Sequence, residues 1–99
     1  MKNRYSEIKK LYDDYLILIK KKNKYLSYEN DKEILDYIKF SKVKELKKRK
    51  INYLILENLD IIEMIDNKEK NKYYTYFIKV KIKRMLEIIK ERMINEKSS

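Results

Sequence analysis

The chain has 99 residues, with 26 Lys and Arg against 16 Asp and Glu, a formal net charge of +10, and no Gly, Pro, Cys, His or Trp. Without Cys it forms no disulfide, and without Cys and His it lacks the usual ligands of zinc and the usual acid–base group near neutral pH. We therefore expect one intracellular domain over residues 1–99, frayed at 96–99 and either cytoplasmic or nuclear, that is not an enzyme and needs no cofactor or metal.

Lysine outnumbers arginine by 22 to 4, and Lys, Ile, Asn, Tyr and Phe are all encoded by A/T-rich codons. This bias indicates an A/T-rich genome, such as that of a virus or a mobile element, and it accounts for part of the charge. The uncharged runs are far shorter than the ~18 residues of a membrane-spanning helix. We expect no signal peptide, no transmembrane segment and no small-molecule substrate.

Apolar residues at spacings of three and four predict a first helix over residues 3–21. They are Tyr5, Ile8, Tyr12, Tyr15, Leu16 and Ile19. Residues 20–24 follow with four lysines, which suit a helix C-terminus, and Asn23 there is able to adopt the left-handed conformation that usually needs Gly.

Asn30 followed by Glu33 predicts the start of a second, shorter helix, because the Asn30 side chain can accept a hydrogen bond from a first-turn amide. Ser27 is the alternative cap. An apolar face follows at residues 34–38, and we expect a break or bend near Ser41.

Residues 42–66 keep helical spacing without a turn signal, which predicts a long third helix. Its first half, residues 42–50, is basic on nearly all sides. Its second half, residues 51–66, has four carboxylates and no basic residue, and we expect it to be the most buried stretch. Residues 42–50, followed by Ile51, Leu54, Asn58, Ile61 and Ile65 at spacings of three and four, resemble a basic leucine zipper in miniature over barely two heptads, in which the acidic Glu57 and Glu63 would repel each other in a parallel homodimer.

Residues 66–72 form a polar connector, and the segment after it fits two patterns. Ile78 to Lys83 alternates as a half-buried strand does, whereas helical spacing continues from Tyr74 to Met93. We favour a helix, because a lone strand would have no partner for its backbone. The sequence thus predicts an all-α fold, a compact bundle of three long helices and one short helix.

Three basic clusters predict non-specific binding of DNA or RNA through the phosphate backbone, as an accessory subunit of a nucleoprotein assembly. Lysine suits this contact because it is a flexible point charge. The predicted contacts are Lys20, Lys21, Lys22, Lys24, Lys42, Lys44, Lys47, Lys48, Arg49, Lys50, Lys79, Lys81, Lys83 and Arg84. Tyrosines beside the clusters are predicted to stack on unpaired bases, or else to be core or rim aromatics; they are Tyr25, Tyr28, Tyr73 and Tyr74.

The alternative is a protein-interaction module of viral, phage or plasmid type, an inhibitor, adaptor or structural subunit. It would use the Ile-rich acidic segment 51–66 to bind a basic protein or a second copy of the chain, with contacts at Glu57, Asp60, Glu63 and Asp66. A basic amphipathic helix on an anionic membrane surface is a third interpretation.

Overall fold

A four-stranded mixed sheet with helices on both faces makes up the computed structural model, which describes residues 2–98, with side chains as far as Asn95. In chain order the elements are α1 (Lys2–Leu11), β1 (Leu16–Lys21), β2 (Lys24–Leu26), α2 (Glu29–Tyr37), α3 (Lys44–Lys48), β3 (Tyr53–Glu57), β4 (Asp60–Ile65) and α4 (Tyr73–Ser98). The fold is therefore α/β, and the prediction of an all-α bundle is wrong.

The sheet has the strand order β2-β1-β3-β4. Its two central strands, β1 and β3, are parallel, with Leu16 opposite Tyr53 and Leu18 opposite Ile55. Each central strand forms an antiparallel hairpin with the edge strand that follows it in the chain, β2 after β1 and β4 after β3.

Two short apolar runs form the central strands because both of their faces are buried. Leu16 to Ile19 are at most 1% exposed, and Ile51 to Leu56 are buried as well. A parallel strand covered on both sides is a continuous apolar run rather than an alternating one. Such a run also satisfies spacings of three and four, so its sequence pattern alone is compatible with a helix.

Side chains alternate between the two faces of the sheet and build two apolar clusters. Leu16, Leu18 and Ile55 point to the face that α2, α3 and the start of α4 cover. Ile17 and Leu54 point to the opposite face, which α1 covers. The sheet is the middle of three layers, and it leaves the edge strand β4 exposed along almost its whole length.

Two of the predicted helices are therefore divided. The first ends at Leu11, the chain turns at Asp13 and Asp14, and residues 16–21 are strand. The third retains only the short α3, while its second half is the β3–β4 hairpin, so the resemblance to a leucine zipper fails. Burial of that second half is confirmed for residues 51–56 and wrong for β4.

The predictions for α2 and α4 agree better with the structure. A helix follows Tyr28, and the break near Ser41 separates α2 from α3. The cap at Asn30 is wrong, because Tyr28 is the N-cap and makes no side-chain cap bond. The helix predicted after residue 73 is confirmed, and it continues to Ser98, whereas Ser99 lies outside the described residues. No helix within residues 2–98 is long and apolar enough to cross a membrane.

Both hairpin turns rest on residues other than Gly in the left-handed region. Asn58 and Leu59 have φ of 50° and 72°, and they form the two-residue turn between Glu57 and Asp60. Positive φ at both turn positions is the mark of a type I′ turn, which normally takes Asn and Gly. In the β1–β2 turn the positive φ falls on Lys22 at 55°, not on Asn23 as expected.

Candidate nucleic-acid interface

Basic residues from α3 and α4 meet around one aromatic ring. The Arg49 guanidinium donates to the Tyr76 hydroxyl at 3.0 Å, and its carbon lies 5.6 Å from the centre of that ring. The Lys79 ammonium lies 5.1 Å from the same centre. Cations at these distances are attracted by the ring, so Tyr76 holds α3 against the first turns of α4.

The exposed lysines around this contact have few carboxylates beside them. Lys44, Lys47 and Lys48 project from α3 into solvent. The acidic residue of this helix, Glu45, is engaged locally, because it accepts hydrogen bonds from the Ser41 hydroxyl at 2.6 Å and from the Lys42 amide at 3.2 Å. The bond from Ser41 lowers the pKa of Glu45. Residues 41–50 therefore present six cations and one carboxylate.

The connector between β4 and α4 adds lysines to the same end of the molecule. Lys50, Lys68 and Lys70 line an open depression of about 520 Å³, together with Asn67 and Glu69. The Lys72 amide donates to the Lys50 carbonyl at 2.9 Å, which ties the connector to the residue that follows α3. We refer to α3, this connector and the first turns of α4 as the basic end.

Asparagine side chains fix the connector against the sheet. The buried Asn52 carbonyl oxygen accepts from the Asn67 amide at 2.7 Å, and its NH₂ donates to Asp66 at 3.1 Å. The Asn71 carbonyl oxygen accepts from the amides of Asn52 and Tyr73, both at 3.0 Å, and so caps the first turn of α4. These hydrogen bonds hold the connector in place and so position Lys68 and Lys70.

A buried polar network fixes the start of α4 from the other side. Asp31 is fully buried, and it accepts from the Tyr73 hydroxyl at 2.6 Å, the Tyr5 hydroxyl at 2.9 Å and the Ile17 amide at 3.1 Å. The Lys9 ammonium completes the network at 3.0 Å from Asp31. Elements α1, α2, β1 and α4 all meet at this carboxylate.

The pKa values in this network shift because of burial. Burial, followed by the nearby charge of Asp31, raises the pKa of Tyr5 and of Tyr73 well above the usual value. Burial lowers the pKa of Lys9, and Asp31 opposes that shift. All four groups are engaged with one another, so the network holds the fold together.

The structure separates the three predicted basic clusters into two regions. The clusters at residues 42–50 and 79–84 meet through Arg49 and Lys79 at Tyr76. Within the second, Arg84 pairs with Glu33 of α2, and the ammonium of Lys81 lies 5.3 Å from the centre of the Phe77 ring. The cluster at residues 20–24 forms the β1–β2 turn, at the opposite end of the parallel strands, where Lys20 is 3.8 Å from Glu57.

Few of the tyrosines predicted to stack are accessible to a base. Tyr73 is 1% exposed with its hydroxyl bound to Asp31, so it takes the core position that the sequence analysis gave as the alternative to stacking. Tyr25 packs against Phe40, and Tyr28 packs against Tyr5. Tyr74 is exposed in the first turn of α4, and its hydroxyl donates to Asp13 at 3.2 Å.

The sequence analysis missed two aromatic residues at the interface. The Tyr37 ring is 37% exposed and lies 6.4 Å from the Tyr76 ring. The Lys83 ammonium lies 5.8 Å from the centre of the Tyr37 ring. The spacing Tyr76–Lys79–Lys83, one helix turn apart each time, is the sequence signal that indicates a shared face on α4.

The predicted acidic contacts all belong to the β3–β4 hairpin or to the residue after it. Asp60 and Glu63 lie on the exposed strand β4, Glu57 ends β3, and Asp66 follows Ile65. Strand β4 lies next to β3, the strand that follows α3 in the chain. The charge of these four residues is nevertheless opposite to that of the basic end. They remain a candidate protein-binding surface.

Comparison with known proteins gives no match. No protein-family model matches the chain, and neither a curated protein nor a solved structure is significantly similar to it.

Proposed function

We propose that this protein binds the phosphate backbone of DNA or RNA through its basic end, without reading the base sequence. The observation that carries this proposal is the contact of Arg49 and Lys79 with Tyr76, because it joins two lysine-rich elements into one surface. The connector lysines Lys68 and Lys70 extend that surface. Each phosphate bound by such a surface releases condensed counterions, which drives association.

The chemistry of the side chains favours backbone contact over base readout. Lysine is a flexible point charge that meets a phosphate in many geometries, whereas base recognition relies on rigid bidentate groups such as the Arg guanidinium. The guanidinium at this surface, that of Arg49, is already bound to Tyr76. We therefore infer an accessory role in an intracellular nucleoprotein assembly, with specificity supplied by other components.

Tyr37 gives the surface a preference for unpaired strands. Its ring is partly exposed beside Lys83, so a base can stack on the ring while the ammonium binds the adjoining phosphate. Stacking on one aromatic side chain contributes about 1–3 kcal/mol per base. Tyr37→Ala should weaken binding to a single-stranded oligonucleotide and leave duplex binding nearly unchanged.

The test is a fluorescence-anisotropy titration with a labelled oligonucleotide and two charge-reversal variants. Lys47→Glu with Lys48→Glu changes exposed residues of α3, and we expect about tenfold weaker binding or more. The matched control is Lys21→Glu with Lys24→Glu, which changes the net charge equally at the opposite end of the sheet. Equal losses from both variants, or no binding by the wild-type protein at low salt, would refute the proposal.

A further inference from the structure

The second half of α4 extends beyond the body of the protein. From Met85 to Asn95 every residue is exposed, whereas Tyr73 and Val80 in the first half belong to the core. The exposed residues include large apolar side chains: Met85, Leu86, Ile88, Ile89, Met93 and Ile94. A helix of this length is only marginally stable in water when nothing packs against it.

Most apolar residues of this helix form a stripe on the side opposite to its core contacts, where Ile82 and Leu86 lie beside Tyr37 of α2. At 3.6 residues per turn, Ile82, Met85, Leu86, Ile89 and Met93 fall within an arc of about 100°, and we call these five residues the α4 stripe; Ile88 and Ile94 lie outside that arc. The side chains that pack on the body, those of Tyr73, Phe77 and Val80, lie on the opposite side of the helix. The stripe is thus unable to reach the core of its own chain.

Cations border the stripe on both sides. Lys83 and Lys90 lie along one margin, Lys81 and Arg92 along the other, and Glu87 and Glu91 lie on the far side of the helix. Residues 79–93 carry six cations and two carboxylates. A surface that covers the stripe must therefore be apolar and acidic.

The protein exposes more surface than a compact chain of its mass. Its accessible surface is 7419 Å² for a mass of 12.4 kDa, whereas a compact monomer of that mass has about 6,100 Å². The difference is larger than the roughly 800 Å² that each partner buries in a typical stable interface. The molecule thus has enough unburied surface for a stable dimer.

Strand β4 has the apolar and acidic character that the stripe requires. Ile61, Ile62 and Met64 are between 36% and 49% exposed, and the hairpin from residue 57 to 66 has four carboxylates and no cation. Because β4 is an edge strand, a partner at the rim of the sheet can contact both of its faces: Ile61 and Met64 lie opposite Leu56 and Leu54 on the face that α1 covers, and Glu63 lies opposite Ile55 on the other face. Both β4 and residues 82–93 of α4 are about 17 Å long, at 3.4 Å and 1.5 Å per residue.

We propose that the α4 stripe binds strand β4 of a second copy of this chain, in a two-fold dimer that uses each contact twice. The apolar side chains of the stripe meet Ile61, Ile62 and Met64, and the cations at its margins meet Asp60 and Glu63. The two contacts together order the exposed half of α4. This self-association uses the second half of α4 and strand β4, not α3 or the connector, and Lys83, which lies beside Tyr37, is shared with the nucleic-acid surface.

The first test is the mass of the wild-type protein in solution, measured by light scattering after size exclusion at low salt. We expect about twice the 12.4 kDa of the chain. Leu86→Asp, in the middle of the stripe, should return the mass to that of one chain. The helical circular-dichroism signal of the folded protein should be retained. A wild-type mass of one chain at the highest soluble concentration would overturn the proposal.

Charge-reversal variants test which surfaces meet. Asp60→Lys with Glu63→Lys, and separately Lys90→Glu with Arg92→Glu, should each weaken self-association at least about tenfold. An equimolar mixture of the two variants should restore dimers, because each acidic surface then faces a basic one. The matched control is Glu87→Lys with Glu91→Lys on the far side of α4, which raises the net charge as much as the β4 change and should leave the dimer intact.

Two results would contradict this arrangement. If the control variant loses the dimer as readily as the β4 variant, general repulsion and not the proposed contact explains the effect. If the wild-type protein is a monomer whose α4 binds vesicles containing phosphatidylserine, and Leu86→Asp abolishes that binding, an anionic membrane covers the stripe instead.

Discussion

Replacing Asp31 by Asn should destabilise the protein more than any other isosteric change in the core. The carboxylate is fully buried and accepts four donors, the hydroxyls of Tyr5 and Tyr73, the Lys9 ammonium and the Ile17 amide. An Asn side chain offers one oxygen and turns its NH₂ toward donors, so at least one of these groups loses its acceptor. Removing one partner of a buried ion pair costs about 3–5 kcal/mol, a large part of the 5–15 kcal/mol that is typical of a domain.

The loss is measured by equilibrium unfolding in urea, followed by circular dichroism. Asp36→Asn, an exposed change on the same helix, is the control and should alter the unfolding free energy by less than about 0.5 kcal/mol. A cycle with Lys9→Met separates the ion pair from the other bonds, because Asp31→Asn should cost less when the ammonium is already absent. A loss below about 1 kcal/mol for Asp31→Asn would show that the network contributes little and would refute this reasoning.

Three further predictions concern stability. Because burial raises the pKa of Tyr5 and Tyr73, both stay protonated in the folded state while they ionise in the unfolded state above pH ~10. Each should therefore lower stability by about 1.4 kcal/mol per pH unit, and Tyr73→Phe should make the decline in urea titrations at high pH shallower by about that amount. The lowered pKa of Lys9 has the opposite effect. The folded protein loses the Lys9 proton at a lower pH than the unfolded chain does, so stability rises with pH until the unfolded chain loses this proton as well, near pH ~10.5. Leu59→Gly should raise the melting temperature, because it removes about 1 kcal/mol of left-handed backbone strain at φ 72°, and the greater entropy of the unfolded chain offsets only part of that gain. A lower melting temperature would contradict the turn assignment. Leu54→Ala, at a fully buried position in β3, should cost about 2–5 kcal/mol in the same urea assay, and a cost below 1 kcal/mol would place it outside the core.

The helices were more predictable than the strands for a physical reason. The apolar face of α2 and the break before α3 depend on residues close together in the chain, so local pattern finds them. The pairing of β1 with β3 joins Leu16 to Tyr53 across a connection that contains β2, α2 and α3, and no local sequence pattern indicates it. A buried apolar run is compatible with both helix and strand, and only the second run supplies the partner that decides for strand.

The candidate interface shows the same division between local and distant information. The lysines of α3 could be named from the sequence, since their charge and exposure follow from local composition. Their association with Lys79 depends on how α3 and α4 pack around Tyr76. The connector lysine Lys68 was missed because its position depends on the buried Asn52, which has no distinctive sequence pattern.

The salt dependence of binding to a DNA or RNA oligonucleotide tests the proposed function most directly. The basic end exposes seven lysines for phosphates, at positions 44, 47, 48, 50, 68, 70 and 79. If four to six of them bind phosphates of a single strand, a plot of log K against log salt concentration has a slope between about −3 and −4, and the Lys47→Glu, Lys48→Glu variant is shallower by about 1.4. A wild-type slope shallower than about −1, or a slope that this variant leaves unchanged, would contradict the account.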